Sequence, residues 1–314
     1  MSQCDDAGPV LVGYDESPAS EQALRWAVEE ARLRDLPLEI CHTWQWPYPF
    51  RTPEDPMPGG AETLTTLEVL RSMAAIVADE GVRKAHAMAK GLDVRWRLEQ
   101  GFAPAALLSA SHGASLVVLG ARGHGGFDGL SIGSVAMQVP AHSTRPVIVV
   151  RSAPPHFEDG GQPIVVGVDG SPASDAALGF AFQEAALRDV PLTAVCAWWD
   201  PGLLPGPDRA PFIRPEPMRH EAMTRFEQFI ERWQVDFPKV PVDMRFVVET
   251  PRHAIISAAL GAVLLVVGNI GIGSAPHTLL GSVTQTAMHE ASCPVAIVPA
   301  TAGRRDRSEG SSTS

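Results

Sequence analysis

Residues 12–44 read VGYDESPASEQALRWAVEEARLRDLPLEICHTW, and residues 166–198 read VGVDGSPASDAALGFAFQEAALRDVPLTAVCAW. Without a gap, 18 of these 33 positions are identical. A second pair, AALLSASHGASLVVLG at 105–120 and HAIISAALGAVLLVVG at 253–268, matches once the offset falls from 154 to 148. The second copy is therefore about six residues shorter between its second strand and its third helix. Self-similarity on this scale means that one domain is written twice.

Each copy alternates strand and helix. PVLVGY (9–14) is a short apolar run, suited to a strand buried on both faces. Ser17 and Pro18 fit the N-cap and first position of a helix, because serine accepts an orphan amide and proline lacks one. Ala23, Ala27 and Ala31, with Leu24 and Val28, give that helix its apolar stripe. LPLEICHTW is the next strand, followed by a proline-rich loop from Trp46 to Gly60. A helix over about 61–90, a strand VRWRLE, a helix over 104–113, a strand SLVVLG, a helix from Gly133 and a strand PVIVV follow. The second copy repeats the order and ends in PVAIV (294–298). This alternation predicts an α/β fold of two tandem, doubly wound, five-stranded parallel sheets, Rossmann-like, with strand order 3-2-1-4-5. The domains are expected at 1–152 and 163–300. Between them lies a Pro/Gly-rich linker (153–162), and residues 301–314 form a polar tail expected to be disordered.

Composition narrows the function. The 314 residues are 45% hydrophobic, enough for a real core, and no apolar run approaches the ~18 residues of a membrane span. The N-terminus has no basic segment leading into an apolar one, so the expectation is cytoplasmic. A net charge of −11 argues against nucleic acid and anionic membranes as partners. The four cysteines (Cys4, Cys41, Cys196, Cys293) are scattered without metal-ligand spacing and read as reduced, buried or free thiols.

The chemistry lies in the glycines. The fourth strand of the first copy runs into Gly120, Gly123, Gly133 and Ser134, and that of the second into Gly268, Gly271, Gly281 and Ser282. Both loops read G-x2-G-x9-G-S between a strand and a helix. Glycine permits close backbone approach, and a helix N-terminus offers free amides and a positive dipole end to an anion. Asp15 and Asp169 end the first strand of each copy, facing these loops where the strand order reverses. Beside a phosphate, a carboxylate needs a donor or a cation, so each Asp reads as a contact to adenine, ribose or Mg²⁺. Plainer roles stay open: the Asp residues as turn caps, Ser134 and Ser282 as N-caps, Arg122 as a solvated charge. His142 and His289 read as dipole contacts at helix C-termini, and Trp44, Trp198 and Trp199 as packing.

The VGxDxS start, the spaced glycine loop and the closing PVxVV strand resemble the ATP-binding branch of the universal stress proteins, over nearly the whole chain twice. The resemblance implies that ATP contacts Gly13, Tyr14 and Asp15, with Thr43 near the base. Leu119, Gly120, Gly123, Gly133, Ser134 and Val135 would line the ribose and phosphates. The second set would be Gly167, Val168, Asp169, Ala197, Val267, Gly268, Gly271, Gly281, Ser282 and Val283. It also implies a nucleotide-dependent stress regulator, with Mg²⁺ arriving through the nucleotide. The two domains should pack on each other, and a further homodimer stays open.

The copies differ. Arg122 and His124 can meet phosphate, where the second loop has Ile270 and Ile272, with Ser274 for Gly126 and an added Pro276. The second site is thus expected to bind more weakly, or to lean on backbone and metal. Near the end of strand 3, ETPRHA (249–254) lacks the glycine of EQGFAP (99–104), so the chain should leave that strand differently. A dinucleotide oxidoreductase would carry its glycines after strand 1, and a P-loop enzyme would show GxxxxGK[ST]. An ATP pyrophosphatase would show SGGxDS. None occurs. The three lysines (Lys84, Lys90, Lys239) lie outside the loops, and no nucleophile–base pair is visible, so a dedicated enzyme is not expected. A sensor of cyclic AMP or another adenylate, and a nucleotide-free scaffold, are the alternatives.

Overall fold

The computed structural model describes residues 8–46, 62–124, 131–151, 161–199, 215–272 and 278–300. Cys4, Gly126, Ser274, Pro276, most of the linker and the tail lie outside them. The chain divides into two compact units, Met1–Ala153 and Pro154–Ser314.

In the first unit β1 (Val10–Gly13), α1 (Pro18–Arg34), β2 (Leu38–Trp44), α2 (Glu62–Met88) and β3 (Val94–Gln100) build one wing of the sheet. α3 (Ala103–Ser111), β4 (Leu116–Gly120), α4 (Ser134–His142) and β5 (Val147–Val150) build the other. The strand order is β3-β2-β1-β4-β5 and every pairing is parallel, with Val10 opposite both Leu38 and Leu116. The sequence reading of strand order therefore holds. The second unit repeats it with β6 (Ile164–Gly167), α5 (Pro172–Arg188), β7 (Leu192–Trp198), α6 (Pro215–Gln234) and β8 (Val242–Val248). α7 (Pro251–Ala258), β9 (Leu264–Gly268), α8 (Ser282–Glu290) and β10 (Val295–Val298) complete it. Its order is β8-β7-β6-β9-β10.

The central strands are buried on both faces, as unbroken apolar runs require: Val10, Leu11, Val12, Val117 and Val118 are all fully covered. The Ser-Pro signal works as read. Ser17 Oγ accepts from Ser20 N at 3.2 Å and Ser171 Oγ from Ser174 N at 3.1 Å, with proline opening each helix. Both helices end on an aspartate in the left-handed region, Asp35 and Asp189, each at φ 54°. A short polar side chain tolerates that conformation better than most.

The exit from the third strand differs as expected. Gly101 sits at φ +131°, with its amide donating to Trp44 O. Glu249 makes the matching bond to Trp198 O without a positive φ. Trp198 packs against Phe246, whereas Trp199 lies beyond the strand and is 47% exposed. Cys41 and Cys293 are buried and Cys196 half-buried, all unbridged. Burial, with Glu99 and Glu39 nearby, pushes the Cys41 thiol up to about 12, which keeps it protonated and inert. Among the described residues, no helix is long and apolar enough to cross a membrane.

Candidate functional site

In each unit the strand order reverses between the first and fourth strands, and a crevice opens at their carboxyl ends. Close approach there demands glycine. A Cβ on Gly120 would sit 2.6 Å from the Ala19 carbonyl carbon, and one on Gly268 2.9 Å from that of Ala173. The strand end is thereby wedged against the first helix.

The loop is then tied to the first strand by an aspartate. Asp15 Oδ1 accepts from Ser17 N at 3.1 Å and Ser17 Oγ at 2.5 Å, while Oδ2 accepts from His124 N at 3.1 Å. Ser17 Oγ also reaches Arg122 O at 3.3 Å. Asp169 repeats the device, with Oδ1 on Ser171 N at 2.9 Å and Oδ2 on Ile272 N at 2.8 Å. A Cβ on Gly123 would lie 2.5 Å from Asp15 Oδ2, and one on Gly271 would collide with Asp169 likewise. Burial raises the Asp15 pKa, but the bonds from Ser17, His124 N and Ser20 outweigh it and hold the carboxyl below its usual range. The turn-capping role is real and incomplete: the same group clamps the glycine loop. A carboxylate accepts about four hydrogen bonds, so Asp169, with two, keeps capacity for a ligand donor.

The loop returns to the sheet where Gly133 N donates to Ala121 O at 2.7 Å and Gly281 N to Asn269 O at 2.8 Å. Those glycines are the N-caps of α4 and α8, and neither helix start has a side-chain cap. Ser134 and Ser282 are the first helical residues, not the caps. Ser134 and Val135, and Ser282 and Val283, line the crevices at these helix N-termini, where the positive dipole end lies.

The crevices are cavities of about 650 Å³ in the first unit and 480 Å³ in the second. All eleven positions named for the first copy line the larger cavity, Arg122 among them at an exposed rim. All ten named for the second line the smaller one. Sequence reasoning missed the wall given by the third helix. Phe102, Ala103, Pro104 and Leu107 supply it in the first unit, and Thr250, Pro251, Arg252 and Ile255 in the second. Apolar residues opening a helix look like core in a sequence, so only the charged Arg252 was a signal. Cys41, Ser20 and Gln45 also line the first cavity. His142 lies off the site, its Nδ1 2.9 Å from Gln138 O in the last turn of α4.

Tyr14 shows how α2 steadies this wall. Its hydroxyl donates to Glu21 Oε1 at 2.5 Å and lies 3.1 Å from Lys84 Nζ, which also pairs with Glu21. Burial and the Glu21 bond push the Tyr14 phenol up to about 12. In the second unit Asp175 on α5 pairs with Arg232 and accepts from Trp233 Nε1 at 2.9 Å.

The universal stress protein family model matches residues 7–151 and again 161–299, the two halves just described. The chain belongs to the universal stress protein family. A universal stress protein of Mycolicibacterium smegmatis is 32% identical over 294 residues, covering 92% of this chain and 96% of that one. One from Mycobacterium tuberculosis is 31% identical over 305 residues, covering 95% and 98%. This universal stress protein thus shares its tandem length with these relatives. A crystal structure of a universal stress protein from Archaeoglobus fulgidus shares the fold, with a TM-score of 0.68 at 18% identity, covering 93% of this chain and 98% of that one.

The donor set suits an adenine nucleotide: uncapped helix amides and glycine backbone for phosphate, and a carboxylate with spare acceptor capacity for a base or ribose. Among the described residues no group of three or more His, Cys, Asp or Glu could hold a metal ion.

Proposed function

We propose that each half binds one adenine nucleotide, ATP in the first instance, and that the protein is a cytoplasmic, nucleotide-dependent regulator of a stress response. The observation that carries this reading is the uncapped first turn of α4 and α8, set behind a clamped glycine loop at the floor of a cavity. Backbone amides hold phosphate without regard to the chain's net charge, which is −11 and offers nucleic acid no counter-surface. Mg²⁺ enters with the nucleotide.

The lining residues argue against a dedicated enzyme. Neither cavity wall includes a lysine, and Lys84 is held by Glu21 and Tyr14. Cys41, a thiol on the wall of the first cavity, is kept protonated by burial. ATP bound here is held, and the bound state is the signal.

The test is mass spectrometry of small molecules released by denaturing the undialysed protein, quantified per chain. ATP or ADP near two equivalents supports the reading. Cyclic AMP instead would make the protein a cyclic-nucleotide sensor. No nucleotide, with no uptake of added Mg-ATP, would sink the reading and leave a scaffold.

A further inference from the structure

The second unit ends in an open sheet edge. Among the described residues β8 pairs with β7 alone. Pro241 O accepts from Leu192 N at 2.9 Å, and Glu249 N donates to Trp198 O at 3.1 Å. The odd-numbered residues of this strand therefore turn their backbone groups toward β7. Val242, Met244, Phe246 and Val248 aim theirs outward, where a further strand can add.

The side chains favour one particular neighbour. Asp243 and Arg245 share one face, pair with each other at 2.7 Å and stand 54% and 50% exposed. Val242, Met244 and Phe246 alternate onto the other face, and Met244 is 46% exposed. Consider two copies of β8 laid antiparallel about a two-fold axis through Met244. Met244 then meets its own counterpart, and Val242 of each copy meets Phe246 of the other. Asp243 of each copy faces Arg245 of the other, so both charge pairs are satisfied at once. The outward backbone groups make the Met244 and Val242–Phe246 pairs the hydrogen-bonded ones. Asp243 and Arg245 fall at the closer, non-hydrogen-bonded sites, where opposite charges gain most.

Neighbouring registers are worse. An axis through Asp243 or Arg245 sets like charges directly opposite, and one through Phe246 sets Asp243 against Glu249. The matching edge of the first unit lacks the device, since β3 reads Arg95-Trp96-Arg97 and the same register would oppose Arg95 to Arg97. We propose that β8 is a homotypic docking edge, through which a second copy of this chain adds antiparallel over Val242–Phe246. So short a ladder gives a weak, reversible dimer, with a dissociation constant roughly in the micromolar range.

The experiment is sedimentation equilibrium of the intact chain over a concentration series, with near-UV circular dichroism to verify folding. A reversible monomer–dimer equilibrium is expected. Asp243→Arg and Arg245→Asp should each weaken it by about ten-fold or more, because each sets like charges across the axis. Both reversals in one chain restore opposite charges and should recover the dimer. Met244→Cys should cross-link two chains under mild oxidation, because residues paired at the axis have Cα atoms about 5.5 Å apart. A chain that stays monomeric throughout, or a dimer indifferent to the single reversals, overturns the inference. So does a double reversal that fails to recover the dimer, or a Met244→Cys chain that forms no cross-link.

Discussion

Asp15 accepts hydrogen bonds from Ser17 and from the amide of His124, and so joins strand end, helix cap and glycine loop. An amide side chain cannot copy this, because its NH₂ would face one of those donors. Asp15→Asn should loosen the loop and weaken nucleotide binding in the first half by roughly ten-fold, read by isothermal titration. The pH dependence follows from the lowered carboxyl. A folded-state pKa below the unfolded value of ~3.9 gives stability that is present above that value and lost as pH falls through the folded one. The stability gap between wild type and Asp15→Asn in urea should therefore be full at neutral pH and close as pH falls below the ordinary carboxylate range. A gap that persists there would assign the effect to packing. The next residue offers a comparison built into the chain. Glu16 is left-handed at φ 62°, where the second copy has Gly170 at φ 84°. A side chain in that region costs about 1–2 kcal/mol, part of which glycine gives back through its freer unfolded chain. Glu16→Gly should raise stability by about 0.5–1 kcal/mol, visible as a higher urea midpoint.

Among the elements, α1 and α2 are clamped by Glu21, Lys84 and Tyr14 at the edge of the first cavity, and α5 and α6 by Asp175, Arg232 and Trp233 in the second unit. The first clamp contains a phenol that burial and Glu21 hold protonated up to about pH 12. A raised acid pKa means that the unfolded chain loses the proton first, so stability falls as pH rises from about 10 toward 12. The chain has only two tyrosines, so phenolate absorbance near 295 nm is simple to follow. Tyr14→Phe should remove its late-titrating component and flatten the alkaline loss of stability. The clamp was not legible in the sequence, because Tyr14 and Lys84 lie 70 positions apart and only the packing of α2 brings them together. The helices were legible for the opposite reason. Ser17-Pro18 and the alanine stripe are local signals, and α1 begins and buries its face where they say.

At the scale of the whole molecule, doubling made the chain readable. One glycine loop alone could be turn punctuation, but two loops with the same spacing, each facing an Asp, placed the crevice and its floor. All the named positions then met in two cavities. What stayed hidden was the wall from α3 and α7, whose Phe102, Leu107 and Ile255 carry no chemical signature, and the clamping role of the two aspartates, which depends on three-dimensional approach. The same doubling yields a test of independence. Gly123→Val and Gly271→Val each set a side chain against the aspartate that holds the loop, and so should disable one half while the sheet beneath stays intact. Each half has its own core and its own loop, clamp and helix N-terminus. Each single variant should accordingly lower nucleotide stoichiometry from two to one, and the double variant should bind none, measured by equilibrium dialysis with near-UV circular dichroism to verify folding. If Gly271→Val alone abolished binding in both halves while the fold survived, the two sites would be one cooperative unit, and the reading of two separate adenylate sites would have to be replaced.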